Sequence, residues 1–322
     1  ELLDLTQSYR TIEEQNKRWL LPSELTISLP DSLKNYNFDR VLYYGKNRSA
    51  ELSISNNDEK LFANVNPYTG ELLNIRKAGT GFFPFILELH VNLHLGDVGR
   101  YIVDFSTLLF LILMITGIIL WWPKNKFAAK QRFSFRWKNS TKWKRKNYDL
   151  HNILGFYASF IALFICVTGL TWAFKWVEKS IYFVATNGAT YEDWPNPKSK
   201  STINDKQEKL VVLDKIFIDA FNRSDYNVQA VFLYPANNKE NSTYIYTCPK
   251  FDVWWNATTF YYDQYSAELL VEDKFENMNL GRKLRNMYYD IHIGKILGLT
   301  GQLLVFFASL IVASLPITGF YI

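Results

Sequence analysis

Four histidines occur in this 322-residue chain, and three of them stand in one local phrase: Glu88-Leu89-His90, Asp149-Leu150-His151 and Asp290-Ile291-His292. Each phrase is a carboxylate, an aliphatic residue and an imidazole, and each heads an apolar stretch long enough to cross a bilayer. Ionisable groups are costly at such places and mark a task. Neutral imidazole ligates iron through Nε2 or Nδ1. The chemistry this points to is haem held between transmembrane helices, with His90, His292 and His151 as ligands to iron.

The elements that must position these rings are legible in local windows. Mean hydropathy over the chain is −0.12, which taken alone suggests a soluble protein. Residues 101–122, however, contain one charge, Asp104, while 152–174 and 296–322 contain none. About 20 such residues span the hydrocarbon core. Trp121, Trp122, Trp172 and Trp176 lie at the boundaries, where aromatic belts form. The expected architecture is a membrane α-helical bundle, with spans within 86–122, 149–177 and 286–322, plus two α+β domains over 1–85 and 178–285.

Orientation follows from charge. Residues 123–148 carry ten Lys or Arg, among them Lys124, Lys126, Lys130 and Arg132, and no Asp or Glu. A short basic run wedged between two spans is the positive-inside signature rather than a nucleic-acid face, so this loop is expected in the cytoplasm. The two α+β domains then face the periplasm of a bacterial inner membrane, and the partners of the spans are membrane lipids, with no nucleic acid. Cys166 lies within a span and Cys248 in the second domain, and no Cys-x-x-Cys-His attachment sequence occurs, so a haem here is expected to be non-covalent, b-type.

The chain reads as two copies of one unit. Asn-Pro-Tyr-Thr-Gly-Glu-Leu-Leu at 66–73 and Asp-Gln-Tyr-Ser-Ala-Glu-Leu-Leu at 263–270 each predict a strand, a turn and a strand. His90 and His292 are each followed by Leu-Gly-x-x-Gly and, 26 residues on, by Thr-Gly, at Thr116-Gly117 and Thr318-Gly319. An equal offset over that distance marks internal duplication. The span that begins at His151 carries its own Thr168-Gly169, and it precedes the second α+β domain, whereas no span precedes the first. The duplication therefore predicts a four-helix protein whose additional first helix bears a further haem-facing histidine near the cytoplasmic side.

His90, Leu95, Gly96, Gly99-Arg100, Thr116-Gly117 and Trp121-Trp122-Pro123, with Asp-Leu-His-Asn-Ile-Leu-Gly at 149–155 and the two Tyr-x-x-Glu-Leu-Leu hairpins, closely resemble the PepSY-associated transmembrane helix family. The resemblance covers nearly the whole chain. It implies a four-helix inner-membrane protein with two periplasmic PepSY-type domains, and it extends to iron-regulated members that are dihaem ferric-siderophore reductases. The sequence departs from that pattern in the first helix, which is expected from the duplication but not found among these residues, and in Gln302, which stands where the first repeat has Arg100.

Helix direction predicts the pairing. If His90 and His292 both start helices running inward, they lie at one depth near the periplasm and share one haem. His151 starts a helix running the other way and holds a second haem near the cytoplasm. Two stacked haems give electrons a path through the bilayer. The carboxylate two residues before each histidine is expected in the first turn, complementing the helix dipole. His94, four residues after His90 and so on the same helix face, is an alternative ligand or a propionate contact. Arg100, Arg282 and Arg285 are candidates to neutralise propionates, with snorkelling to lipid phosphate as the plain alternative. Gly96, Gly99, Gly155, Gly294 and Gly298 would let a flat macrocycle approach the helices, or serve only as small residues at helix contacts.

The function expected is a transmembrane oxidoreductase that passes electrons from a cytoplasmic or quinol donor to a periplasmic ferric siderophore or other ferric chelate. The competing classes are a non-enzymatic module binding a peptide or regulating a partner, and a transporter. The spans carry few polar or broken-helix signals for a transporter beyond Asp104 and Pro316. No phosphate loop, zinc spacing or nucleophile elbow occurs.

Overall fold

The computed structural model describes residues 6–123, 125, 132–200, 206–251 and 253–322. Lys124, Lys126 and Lys130 of the basic loop lie outside them. Along the chain come α1 (Pro22–Ile27), β1 (Asn37–Tyr43), β2 (Ala50–Ser55), β3 (Lys60–Val65), β4 (Leu72–Lys77), α2 (Phe82–Asn92) and α3 (Gly96–Trp121). There follow α4 (Trp143–Asp149), a π-helical turn (Leu150–Leu154), α5 (Gly155–Ala173), α6 (Lys175–Ala185) and α7 (Lys206–Arg223). The chain continues through β5 (Ala230–Tyr234), β6 (Thr243–Cys248), β7 (Thr258–Tyr262), β8 (Leu269–Asp273), α8 (Leu280–His292) and α9 (Gly298–Phe320). Two compact units result: Glu1–Phe85 with Glu192–Asn279, and Ile86–Tyr191 with Leu280–Ile322.

The first unit is one antiparallel sheet in the order β4-β3-β2-β1-β5-β6-β7-β8. Each half is a four-stranded meander, and the two join edge to edge where Leu42 of β1 pairs Phe232 of β5. The α+β modules expected over 1–85 and 178–285 thus share a single sheet, and residues 178–191 and 280–285 belong to the helical unit instead. Pairing through β1 and β5 covers two edges that would otherwise stay open.

Alternation along the strands builds the core. Val41, Tyr43, Leu52, Ile54, Leu233, Ile245, Phe260 and Tyr262 point to one face, where Leu213, Ile216, Phe217 and Ala220 of α7 pack at helical spacing. Tyr43 stacks on Trp19 at 5.3 Å and meets Phe217 at 5.1 Å. Phe260→Ala is expected to cost about 3–5 kcal/mol, because the side chain is fully enclosed and the strands around it cannot collapse into the void. A thermal or denaturant melt of the full chain measures this.

The two predicted hairpins are present and alike. Asn66 Oδ1 accepts from the Tyr68 N–H at 2.9 Å, and Asp263 Oδ1 from the Tyr265 N–H at 2.9 Å. Each turn closes on a left-handed residue, Gly70 (φ 76°) and Ala267 (φ 60°). The tyrosine hydroxyls reach back to the carbonyls of Lys46 and Lys239 at 2.8 and 3.0 Å.

In the second unit, α5 packs against α3, α8 and α9. Among the described residues three helical stretches are long and apolar enough to cross a membrane: Gly96–Trp121, Trp143–Ala173 and Lys295–Phe320. Leu109, Leu113, Leu120, Phe306, Phe307 and Leu310 point outward from α3 and α9, as lipid-facing side chains do. Near one end Trp121 lies 4.5 Å from Phe156, which meets Phe133 at 5.1 Å.

Candidate functional site

His90 and His292 close short helices instead of opening long ones. α2 and α8 end at Asn92 and His292, and the spans begin at Gly96 and Gly298 after a tight turn. In the first copy Leu93 and His94 take φ of 55° and 57°, and in the second Gly294 takes 77°. The turn then folds against the start of the next helix: a Cβ at Gly99 would lie 1.7 Å from the Asn92 carbonyl oxygen, and one at Gly301 would lie 2.1 Å from that of Gly294. Gly99 and Gly301 therefore admit neighbouring backbone, which for Gly99 is the small-residue role weighed beside service to a macrocycle. The breaks also correct the dipole expectation: Glu88 and Asp290 fall near the ends of α2 and α8, where negative charge opposes the dipole, and Asp149 lies inside the continuous helical stretch Trp143–Ala173 rather than in its first turn. Glu88 accepts from Asn92 Nδ2 at 2.6 Å, Asp149 from Trp137 Nε1 at 3.0 Å and Arg145 Nε at 3.1 Å, and Asp290 is fully buried.

The break separates the two neighbouring histidines. His94 sits in the turn, its N–H donating to Asn92 Oδ1 at 2.9 Å, so the shared helix face expected for His90 and His94 does not exist. The rings brought together are His90 and His292, with centroids 6.2 Å apart and planes inclined at 51°. The same Nδ1 of His292 lies 3.0 Å from the Ile165 carbonyl and 2.9 Å from Thr168 Oγ1. A carbonyl only accepts, so Nδ1 carries the proton and Nε2 keeps its lone pair. Trp172 stands edge-on to the ring at 5.0 Å. His292 precedes the span Lys295–Phe320, and burial together with the neighbouring His90 holds its imidazole below the ordinary value, favouring the neutral form.

His151 lies apart from this pair, on the π-helical turn, a rare element that recurs at functional sites. Its Nδ1 is 2.9 Å from Thr318 Oγ1. The seventeen residues from His151 to Thr168 put the two ring sites about 25 Å apart along α5, close to the thickness of a hydrocarbon core.

The donor set tests for a haem. Among the described residues no cluster of three or more His, Cys, Asp or Glu side chains forms a metal site. Two facing imidazoles suit an iron whose other positions are filled by a macrocycle. With metal–nitrogen bonds of about 2 Å and each centroid roughly 1 Å behind its nitrogen, opposed ligands stand about 6 Å apart, which agrees with the observed spacing. His90 and His292 fit the group.

The arginines are placed differently. Arg100 is half exposed, with Nη2 donating to the Trp172 carbonyl at 3.3 Å and Nε 3.6 Å from Asp104. Arg285 is buried, donates to the Tyr191 hydroxyl and faces Glu178 at 3.5 Å. In the sheet unit a cleft of about 450 Å³ is lined by Trp194, Tyr234, Tyr244, Tyr246 and Tyr261, with Asp39 at its wall. Burial pushes the Tyr234, Tyr244 and Tyr246 hydroxyls up, so they remain protonated at neutral pH. Sequence alone does not gather these residues, because period-2 alternation brings them to one sheet face only once register is known.

No curated protein matches the chain. A family model described as PepSY-associated TM region matches residues 11–322. The apolar spans, the paired α+β meanders and this match together make the chain a member of the PepSY-associated transmembrane family.

Proposed function

We propose that this chain is a b-type dihaem oxidoreductase of the bacterial inner membrane, passing electrons across the bilayer to a ferric siderophore or other ferric chelate in the periplasm. The observation that carries the reading is the His90–His292 pair: two imidazoles 6.2 Å apart, one of them fixed with a bare Nε2. A bound haem supplies a one-electron couple. His90 and His292 hold one such group on the periplasmic side, and His151 is a ligand to a second near the cytoplasm. α5 keeps the two sites at a constant separation, and the apolar faces of α3 and α9 meet membrane lipids. Each transfer takes one electron from a cytoplasmic or quinol donor and turns the ferric iron of the chelate ferrous. Arg100, exposed beside α5, is the candidate to neutralise a propionate.

A second reading, a non-enzymatic module that binds a peptide or regulates a periplasmic partner, is favoured by the tyrosine-lined cleft. Colour separates the two. The purified protein is expected to show a b-type spectrum on dithionite reduction. Mixed anaerobically with ferric chelates in a stopped-flow cell, the reduced protein should reoxidise at least about tenfold faster than with the metal-free chelators, as directed electron transfer requires. Equal rates across a panel of chelates would reject ferric reduction.

A further inference from the structure

Two threonine-glycine pairs on the apolar helices, first visible as repeat markers, both lie against histidines. Thr168 on α5 and the Ile165 carbonyl one turn before it meet His292 Nδ1 at 2.9 and 3.0 Å. Thr318 on α9 meets His151 Nδ1 at 2.9 Å. The threonine hydrogens are already used within their own helices: Thr168 Oγ1 donates to the Phe164 carbonyl at 2.7 Å, and Thr318 Oγ1 to that of Ser314 at 3.1 Å. Each hydroxyl is therefore left to accept from Nδ1–H. The glycine beside each threonine faces the ring: a Cβ at Gly319 would crowd His151 Cε1 at 3.2 Å, while one at Gly169 would come into ordinary contact with His292 Cε1 at 3.5 Å.

The exchange is reciprocal. His151 leads into α5 and is seated on α9, while His292 leads into α9 and is seated on α5. We propose that Thr168-Gly169 and Thr318-Gly319 are imidazole seats, positioning residues that hold each histidine of the opposite helix with Nδ1 protonated and Nε2 bare, and so set the strength of the ligand offered to a metal. Acceptors on the remote nitrogen fix ring orientation and raise ligand basicity. A more basic ligand favours the higher charge on iron. Weakening a seat therefore favours the ferrous state.

The redox arm of the test rests on the haem reading; the other arm does not. In the full chain in lipid nanodiscs, with ring-15N histidine and no haem, His292 and His151 should show a protonated, slowly exchanging Nδ1–H and an unprotonated Nε2. His151→Ala and His292→Ala assign the signals. Thr168→Val should shift and speed exchange of the His292 Nδ1–H alone, Thr318→Val that of His151 alone, and Thr→Ser at either place should restore it. In the haem-loaded protein each Val variant should raise the reduction equilibrium constant of one haem about threefold to tenfold, a rise of about 30–60 mV for a one-electron couple. If the histidine signals are the same in wild type and both Val variants, the seats are refuted even if two haems are bound. If wild type binds no haem while the two variants shift their histidines selectively, the seats stand and the dihaem reading falls.

Discussion

Replacing either His90 or His292 with alanine is expected to remove one haem per protein and to leave the spectrum of the other largely intact. The two rings occupy equal positions in the duplicated unit and lie 6.2 Å apart, a spacing that suits both to one iron. Loss of one imidazole would remove a ligand bond from a non-covalent site, and even changes to the groups that hydrogen-bond such ligands cost about 10–100-fold in affinity. His292→Ala should be the more damaging, because its ring is part-buried and bonded to Ile165 and Thr168, whereas that of His90 is exposed. His151→Ala should remove the other haem. Stoichiometry by pyridine haemochrome, with midpoint titration of what remains, gives the answer. Loss of both haems from each single variant, or of neither, would overturn the pairing, and full reoxidation rates in both outer-pair variants would move the exit point elsewhere.

What the sequence disclosed and what it hid divide along physical lines. Spans of about 20 apolar residues need no partner to be recognised, and the Asn66 and Asp263 turns are set by their own side chains, so both were legible. The juxtaposition of His90 with His292 followed from duplication. The helix breaks before the spans were not legible. Leu93 and His94 adopt left-handed backbone that non-glycine residues rarely accept, and the reason lies in the close packing of Gly99 on the Asn92 carbonyl. The union of two meanders in one sheet was equally hidden, because β1 and β5 are far apart in sequence and edge pairing leaves no local pattern. The histidine seats show the same limit. Thr168-Gly169 and Thr318-Gly319 were noticed as repeat markers, but their partners are 124 and 167 residues away. Only helix packing reveals what they touch.

Arg285→Ala is expected to destabilise the protein by about 3–5 kcal/mol, the usual effect of breaking a buried pair from one side. The Arg285 side chain is 4% exposed and faces Glu178, 11% exposed, at 3.5 Å. Tyr191 bridges them, accepting from Arg285 and donating to Glu178 Oε1 at 2.7 Å, while Lys175 holds the other carboxylate oxygen at 2.8 Å. The network ties α6 to α8, whose last residue is His292, so its loss should loosen that ring as well. Removing Arg285 leaves the Glu178 carboxylate with Lys175 as its facing cation and the Tyr191 hydroxyl as its donor. Glu178→Gln in the same chain should return a large part of the loss, with a coupling of about 0.5–3 kcal/mol in the double-mutant cycle. The alternative role considered for Arg285, neutralising a haem propionate, makes a different forecast: the unloaded chain would keep its melting temperature, and only the potential of the loaded one would move. Melting the haem-free Arg285→Ala protein therefore decides between them, and an unchanged midpoint would show that the Glu178 contact carries no stability.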